Sequence, residues 1–252
     1  MRFLKLHILT CFVMLATASS AQVGKHRNEL AFGVGGGYVL SQVGFTPKVP
    51  QEQLGGITLG ATLRYTSEKY FSSICAIVAE ANLVQTGWKE RIQTLENLPV
   101  PNIQGDAYEA YSRKLTYLQV PLLARLGWGR ERNGLQFFFQ AGPQVGFFLS
   151  EKAEATFDTA NPNMKERTSG IIAQYDMPVE HQFDYGITAG IGLEFSNSHL
   201  GHILLDVRYY YGLGDIYGNS KHDYFARSNL NTLSVKMIYL FDILRSKDTN
   251  IK

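Results

Sequence analysis

Cysteine is nearly absent from this chain. Its 252 residues include two, Cys11 and Cys75. Cys11 sits inside an N-terminal apolar stretch and lacks the Leu-small-small context of a lipoprotein signal. One cysteine therefore remains beyond that stretch, so no intramolecular disulfide framework is available. Cys75 reads as an apolar filler on a strand. Long apolar runs are missing too: past residue 21, no segment reaches the ~18 residues that a membrane helix needs. Net charge is the third absence. The first segment carries Arg2 and Lys5, two of the 24 basic residues, and none of the 22 acidic ones, which leaves 22 of each sign. This balance excludes the basic footprint of a nucleic-acid binder. A phosphate cradle is excluded as well. Gly33-Val34-Gly35-Gly36-Gly37 is glycine-rich, but no helical pattern follows to supply an anion-binding N-terminus.

The N-terminus has the features of an export signal. Arg2 and Lys5 give a positive start, Leu6 to Ala16 is mostly apolar, and Ser19-Ser20-Ala21 offers small residues for cleavage before Gln22. Residues 1–21 are expected to be a signal peptide, residues 22–242 the folded domain, and residues 243–252 a short tail.

The rest of the chain has a rhythm. Eight strand-like runs are separated by gaps that alternate long and short. The long gaps are Leu40–Leu54, Lys89–Ser112, Glu151–Glu180 and Leu213–Ser228; the short ones are Ser67–Phe71, Gly129–Gly134 and Ser196–Leu200. The runs are Glu29–Val39, Gly55–Thr66, Ser72–Trp88, Arg113–Trp128, Leu135–Leu149, Gln182–Phe195, His202–Gly212 and Asn231–Phe241. Each alternates with period two, which selects strand over helix. The run at 182–195 is the cleanest: Phe183, Tyr185, Ile187, Ala189, Ile191, Leu193 and Phe195 face one way, and Gln182, Asp184, Gly186, Thr188, Gly190, Gly192 and Glu194 the other. All the runs exceed the ~5–6 residues of an average globular strand and reach the ~9–11 of a spanning one. The expected fold is all-β: an eight-stranded antiparallel up-and-down transmembrane β-barrel, with short periplasmic turns and long extracellular loops. The mildly negative mean hydropathy agrees, because every second residue of such a strand faces the lumen.

The polar face carries Arg64, Arg125, Arg208 and Lys236 against Glu80, Asp184, Glu194 and Asp206, four charges of each sign. The apolar face has essentially none, as lipid contact requires. An eight-stranded barrel is just wide enough for its own side chains. These residues, with Tyr117 and Gln119, are therefore expected to form an interior polar network and no sizeable open channel. Inward glycines such as Gly33, Gly60, Gly142 and Gly190 leave room for the long side chains. Tyr65, Trp88, Trp128, Phe195, Tyr209, Tyr239 and Phe241, at strand ends, are expected to form aromatic girdles at the membrane interfaces.

Several phrases resemble the PorT-like outer-membrane β-barrel family of Bacteroidetes-type bacteria. They are Glu80 to Lys89 (EANLVQTGWK), Tyr117 to Leu123 (YLQVPLL), Ala141-Gly142-Pro143, Asp184-Tyr185-Gly186 with Gly190-Ile191-Gly192, and Leu205 to Tyr210 (LDVRYY). Gln119 stands where the family usually has Glu, and Asp242–Lys252 follow Phe241, which looks like the terminal aromatic of a barrel-assembly signal. The resemblance implies the same fold and membrane. The family's namesake serves a protein-secretion system.

Catalytic and metal signals are weak. His199 and His202 lie three apart at a tight turn with no cysteine or acidic cluster beside them, so they read as polar turn residues; His26, His181 and His222 are scattered. No metal or cofactor is expected. Ser220-Lys221-His222-Asp223, with Asp215, offers the letters of a triad without its context. The expectation is a non-enzymatic protein with a structural or interaction role, as a subunit of an envelope or secretion assembly in one form of that reading. Its partners would be outer-membrane lipid, the barrel-assembly machinery at the last strand, and envelope proteins at the long loops. A loop-based enzyme or small-ligand receptor, or a narrow pore, is the alternative.

Overall fold

The computed structural model describes residues 25–218 and 224–245. The expected signal peptide and its cleavage point, the Ser220–Asp223 stretch and residues 246–252 lie outside the described residues. Eight long antiparallel strands form the structure: β1 (Lys25–Thr46), β2 (Leu54–Tyr70), β3 (Ser73–Glu90), β4 (Tyr111–Gly129), β5 (Gly134–Ala155), β6 (Phe183–Asn197), β7 (Gly201–Gly212) and β8 (Arg227–Leu244). Each pairs with its neighbour in sequence, and β1 pairs with β8, so the sheet closes on itself. A two-residue strand, Gln51–Glu52, adds to the end of β3. A barrel of this kind leaves no edge within the ring, which is what a bilayer demands of strands.

The strands overrun the sequence-based limits mainly at the loop end. β1 continues to Thr46 and β5 to Ala155, each 22 residues long, while β6 and β7 are only 15 and 12 residues. The wall is therefore high on one side and dips at β6 and β7. β8 runs to Leu244, two residues past the expected domain limit. The first long gap shrinks to residues 47–53, and residues 91–110, 156–182 and 213–226 connect the remaining strands at that end.

Alternation sorts the faces. Outward residues such as Val34, Ile57, Leu83, Ile187, Ile191, Leu205 and Val235 stay exposed, forming an apolar belt. Register fixes its limits. At the loop end, Leu40 pairs with Leu233, Leu83 with Leu118, Leu118 with Phe147, and Phe147 with Phe183. Above that ring the outward residues of β3, β4 and β5 turn polar: Lys89, Thr116, Lys114, Lys152 and Glu154. Residues beyond the ring stand clear of the apolar belt.

Candidate functional site

The barrel interior holds two clusters of charge. Toward the short-turn end, Arg64 Nη1 donates to both carboxylate oxygens of Glu194, at 2.7 and 2.8 Å. Arg125 bonds the same carboxylate, and its guanidinium stacks 3.7 Å from the centre of the Phe138 ring. Higher in the barrel, Arg208 grips Glu80 with two bonds of 2.8 and 2.6 Å, and Lys236 Nζ reaches Glu80 at 2.8 Å and Asn82 Oδ1 at 2.9 Å. Asp206 pairs with Arg208 and accepts from Gln140 Nε2 at 3.0 Å. Gly190 makes this packing possible: a Cβ there would lie 2.6 Å from Arg208 Cγ. The void at the short-turn end is about 20 Å³, room for a single water.

Three residues expected in this network lie outside the ion clusters. Asp184 has no cation partner among the described residues and instead accepts from the Tyr210 hydroxyl at 2.7 Å. Tyr117 packs edge-on against Phe148 and belongs to an aromatic cluster. Gln119 is buried, but its amide nitrogen has no hydrogen-bond partner among the described residues. One member went unrecognised. His202, expected as a turn residue, points inward, with Nδ1 2.6 Å from Glu194 and Nε2 3.0 Å from Asp242. Its position in the alternation, in phase with Asp206 and Arg208, was the available signal.

Of the expected girdle, Tyr65, Trp128, Phe195, Tyr239 and Phe241 face outward at the short-turn end, and Tyr209 faces outward near the other. Trp88 does not: it is fully buried. The error has a plain cause. Trp88 is at a strand end but shares the inward phase of Glu80 and Asn82, and phase decides the face. Gly87, at φ +137°, lets β3 close on β4 beside it, since a Cβ there would lie 2.0 Å from the Arg113 carbonyl oxygen.

Trp88 belongs to a cap that closes the mouth. Phe45, Tyr111, Tyr217, Phe225, Ile216 and Leu230 pack with it as a buried cluster drawn from strand ends and loops. The segment 156–182 forms a strap across this cluster. Arg113 holds it from below: Nη1 donates to the main-chain carbonyls of Gln174 (3.2 Å) and Met177 (2.7 Å), while Nε and Nη2 bond Glu151. Glu90 holds it from the side, accepting from Gln174 Nε2 and the Tyr175 hydroxyl, both at 2.7 Å. Arg167 pairs with buried Glu109 at 2.7 Å and lies over the Phe157 ring. Glu90 and Tyr111 stand above the apolar belt. Burial pushes the Glu90 carboxyl up, against its two donors, and pushes the Tyr111 hydroxyl up to about 12.

At the other end the turn carrying Glu131 folds back onto β1. Glu131 accepts from Arg27 Nε at 2.7 Å and lies 2.6 Å from Lys69 Nζ. Burial opposes the charge, but these two cations hold its carboxyl below the usual range.

A closed ring of spanning strands, an uncharged outer belt and a charged interior define a transmembrane β-barrel. The sequence matches the family described as outer membrane protein beta-barrel domain over residues 20–218. The chain belongs to that family and its place is the bacterial outer membrane. No curated protein matches it. Among solved structures it is similar to Ail, the attachment invasion locus protein of Yersinia pestis (14% identity, TM-score 0.36, covering 84% of this chain and 99% of that one). It is also similar to the outer membrane enzyme PagL (11%, 0.40, 83% and 98%) and to OprG from Pseudomonas aeruginosa (12%, 0.37, 86% and 98%).

Two predictions follow from this geometry. Arg208→Ala leaves Glu80 and Asp206 short of a cation in a dry interior and should cost about 3–5 kcal/mol, read as a lower unfolding midpoint in detergent; an unchanged midpoint would remove the network from the stability account. The second concerns Glu90. Its raised value means that the folded state binds the proton more tightly than the unfolded chain, so its contribution is complete at low pH and is lost as pH rises through the raised value. Trypsin cleavage at Lys165 or Arg167, normalised to an unfolded substrate, should quicken as pH rises above the ordinary carboxylate range and the strap opens. Glu90→Gln should flatten that dependence.

Proposed function

We propose that the protein is a non-enzymatic outer-membrane barrel that serves as a rigid, closed mount for a folded platform at the loop end, through which it engages protein partners. The strap carries this reading: Arg113 and Glu90 hold it across a mouth already filled by aromatic side chains. A channel would need that space, and so would a substrate bound in the barrel. The triad letters give the enzyme reading little support. Asp215 Oδ1 already accepts the Ser228 main-chain N–H at 2.6 Å, tying down the base of the loop. The PorT-like phrases favour one kind of setting, an envelope or secretion assembly of which this barrel is a subunit. Outer-membrane lipid meets the apolar belt, and the last strand, which carries Phe241 and ends at Leu244, meets the assembly machinery.

The purified protein in planar bilayers should give no discrete conductance steps; regular steps would overturn the closed reading. Gentle detergent extraction of outer membranes should yield a particle larger than the ~28 kDa chain with stoichiometric protein partners; a lone barrel would count against the assembly setting.

A further inference from the structure

The high wall of the barrel ends in an open strand edge. Phe148 is the last residue of β5 bonded on its β6 side, donating to the Gln182 carbonyl at 2.7 Å. Ser150 to Ala155 continue beyond it, paired with β4 and exposed. The Thr156 N–H donates to the Ala110 carbonyl, toward β4. Strand alternation then turns Glu154, Lys152 and Ser150 toward β4 and leaves the main-chain N–H and C=O of Glu151, Ala153 and Ala155 directed away. Among the described residues no main-chain hydrogen bond reaches that side. The opposite shoulder of the dip is covered: Ser228 of β8 donates to Asp215, and its carbonyl accepts from Ile216.

Unpaired edges are normally blunted by charge. The charges here also form a code. When the edge is laid antiparallel against a second copy of itself, with Ala153 opposite Ala153, Lys152 faces Glu154 of the second copy and Glu154 faces its Lys152. The three outward-turned residues meet one another and supply about six main-chain bonds. The two neighbouring registers keep about four of those bonds and set Lys152 against Lys152 or Glu154 against Glu154. Like charges directly opposite are unfavourable, which favours the first register, although Lys152 Nζ already lies 2.7 Å from Glu154 within its own strand. We propose that this edge is a homotypic docking site, and that its occupant is the same edge of a second copy in an opposed membrane.

Opposition follows from symmetry. Copies in one membrane are related by an axis along its normal, which leaves both β5 strands rising from the bilayer. Antiparallel pairing needs one strand to rise and the other to descend. The proposal rests on reading the loop end as an interaction platform and names the partner of that platform.

The full-length protein in phosphatidylcholine vesicles should cluster them, read by light scattering. Lys152→Glu should weaken clustering about tenfold or more, by placing like charges across both pairs. The double variant Lys152→Glu/Glu154→Lys should restore it. Circular dichroism is to establish that each variant is folded. In a Cys75→Ser background, Ala153→Cys should form a disulfide between differently tagged chains from separate vesicle populations. Dispersed vesicles, a single reversal that clusters like the parent, a folded double variant that does not recover, or capture of an added peptide strand without clustering would each overturn the proposal. Stoichiometric partners after extraction, alongside dispersed vesicles, would keep the platform reading and remove this one.

Discussion

Hydrocarbon offers a backbone amide nothing to bond, and the rest of this structure answers to that fact. The ring must close, so β8 returns to β1 along most of its length. With eight strands the closed ring has little interior, and whatever polar groups it holds must satisfy one another. The sequence therefore pairs its inward charges across the lumen, Glu80 with Arg208 and Lys236, Glu194 with Arg64 and Arg125, over distances no local pattern spans. A buried pair of this kind adds less than its count of bonds suggests, because each ion was stripped of water first. Its stronger effect is on uniqueness: a shift in register would leave several charges unpartnered at once.

The same accounting explains why the mouth is apolar. Above the lipid belt water returns, and the lumen has to be sealed from it or shared with it. Trp88, Phe45, Tyr217 and Phe225 seal it. They come from segments far apart in the chain, and burying them fixes the strap that crosses above. Charge reappears at the margins of this seal, in Arg113 with Glu151, in Glu90, and in Arg167 with Glu109, where each holds main chain or a neighbouring side chain.

What was legible in the sequence was whatever has a period. Alternation identifies the eight spanning runs and the inward face, and with it Arg64, Glu80, Arg125, Glu194, Asp206, Arg208 and Lys236. The same alternation turns Trp88 and His202 inward, against the weaker signals of a strand end and a nearby turn; that His202 meets Glu194 is a matter of register, which alternation does not record. The cap was not legible. Arg113 and its acceptors Gln174 and Met177 are 61 and 64 positions apart, in segments with no repeat, and nothing local records that one guanidinium bonds both carbonyls. The height of the wall was hidden for a related reason. Above the belt the outer face turns polar, so the contrast that marks a strand fades while the strand itself continues.

Arg113 bonds the strap through main-chain carbonyls, groups that every residue type possesses. At those two points the path across the mouth is set without reference to the side chain, while Gln174 Nε2, Tyr175 and Arg167 add side-chain anchors of their own. Between its few anchors, the surface that faces the outside world is free to drift in composition while the barrel beneath stays shut. A cell could alter what this protein displays, residue by residue, without ever reopening its own envelope.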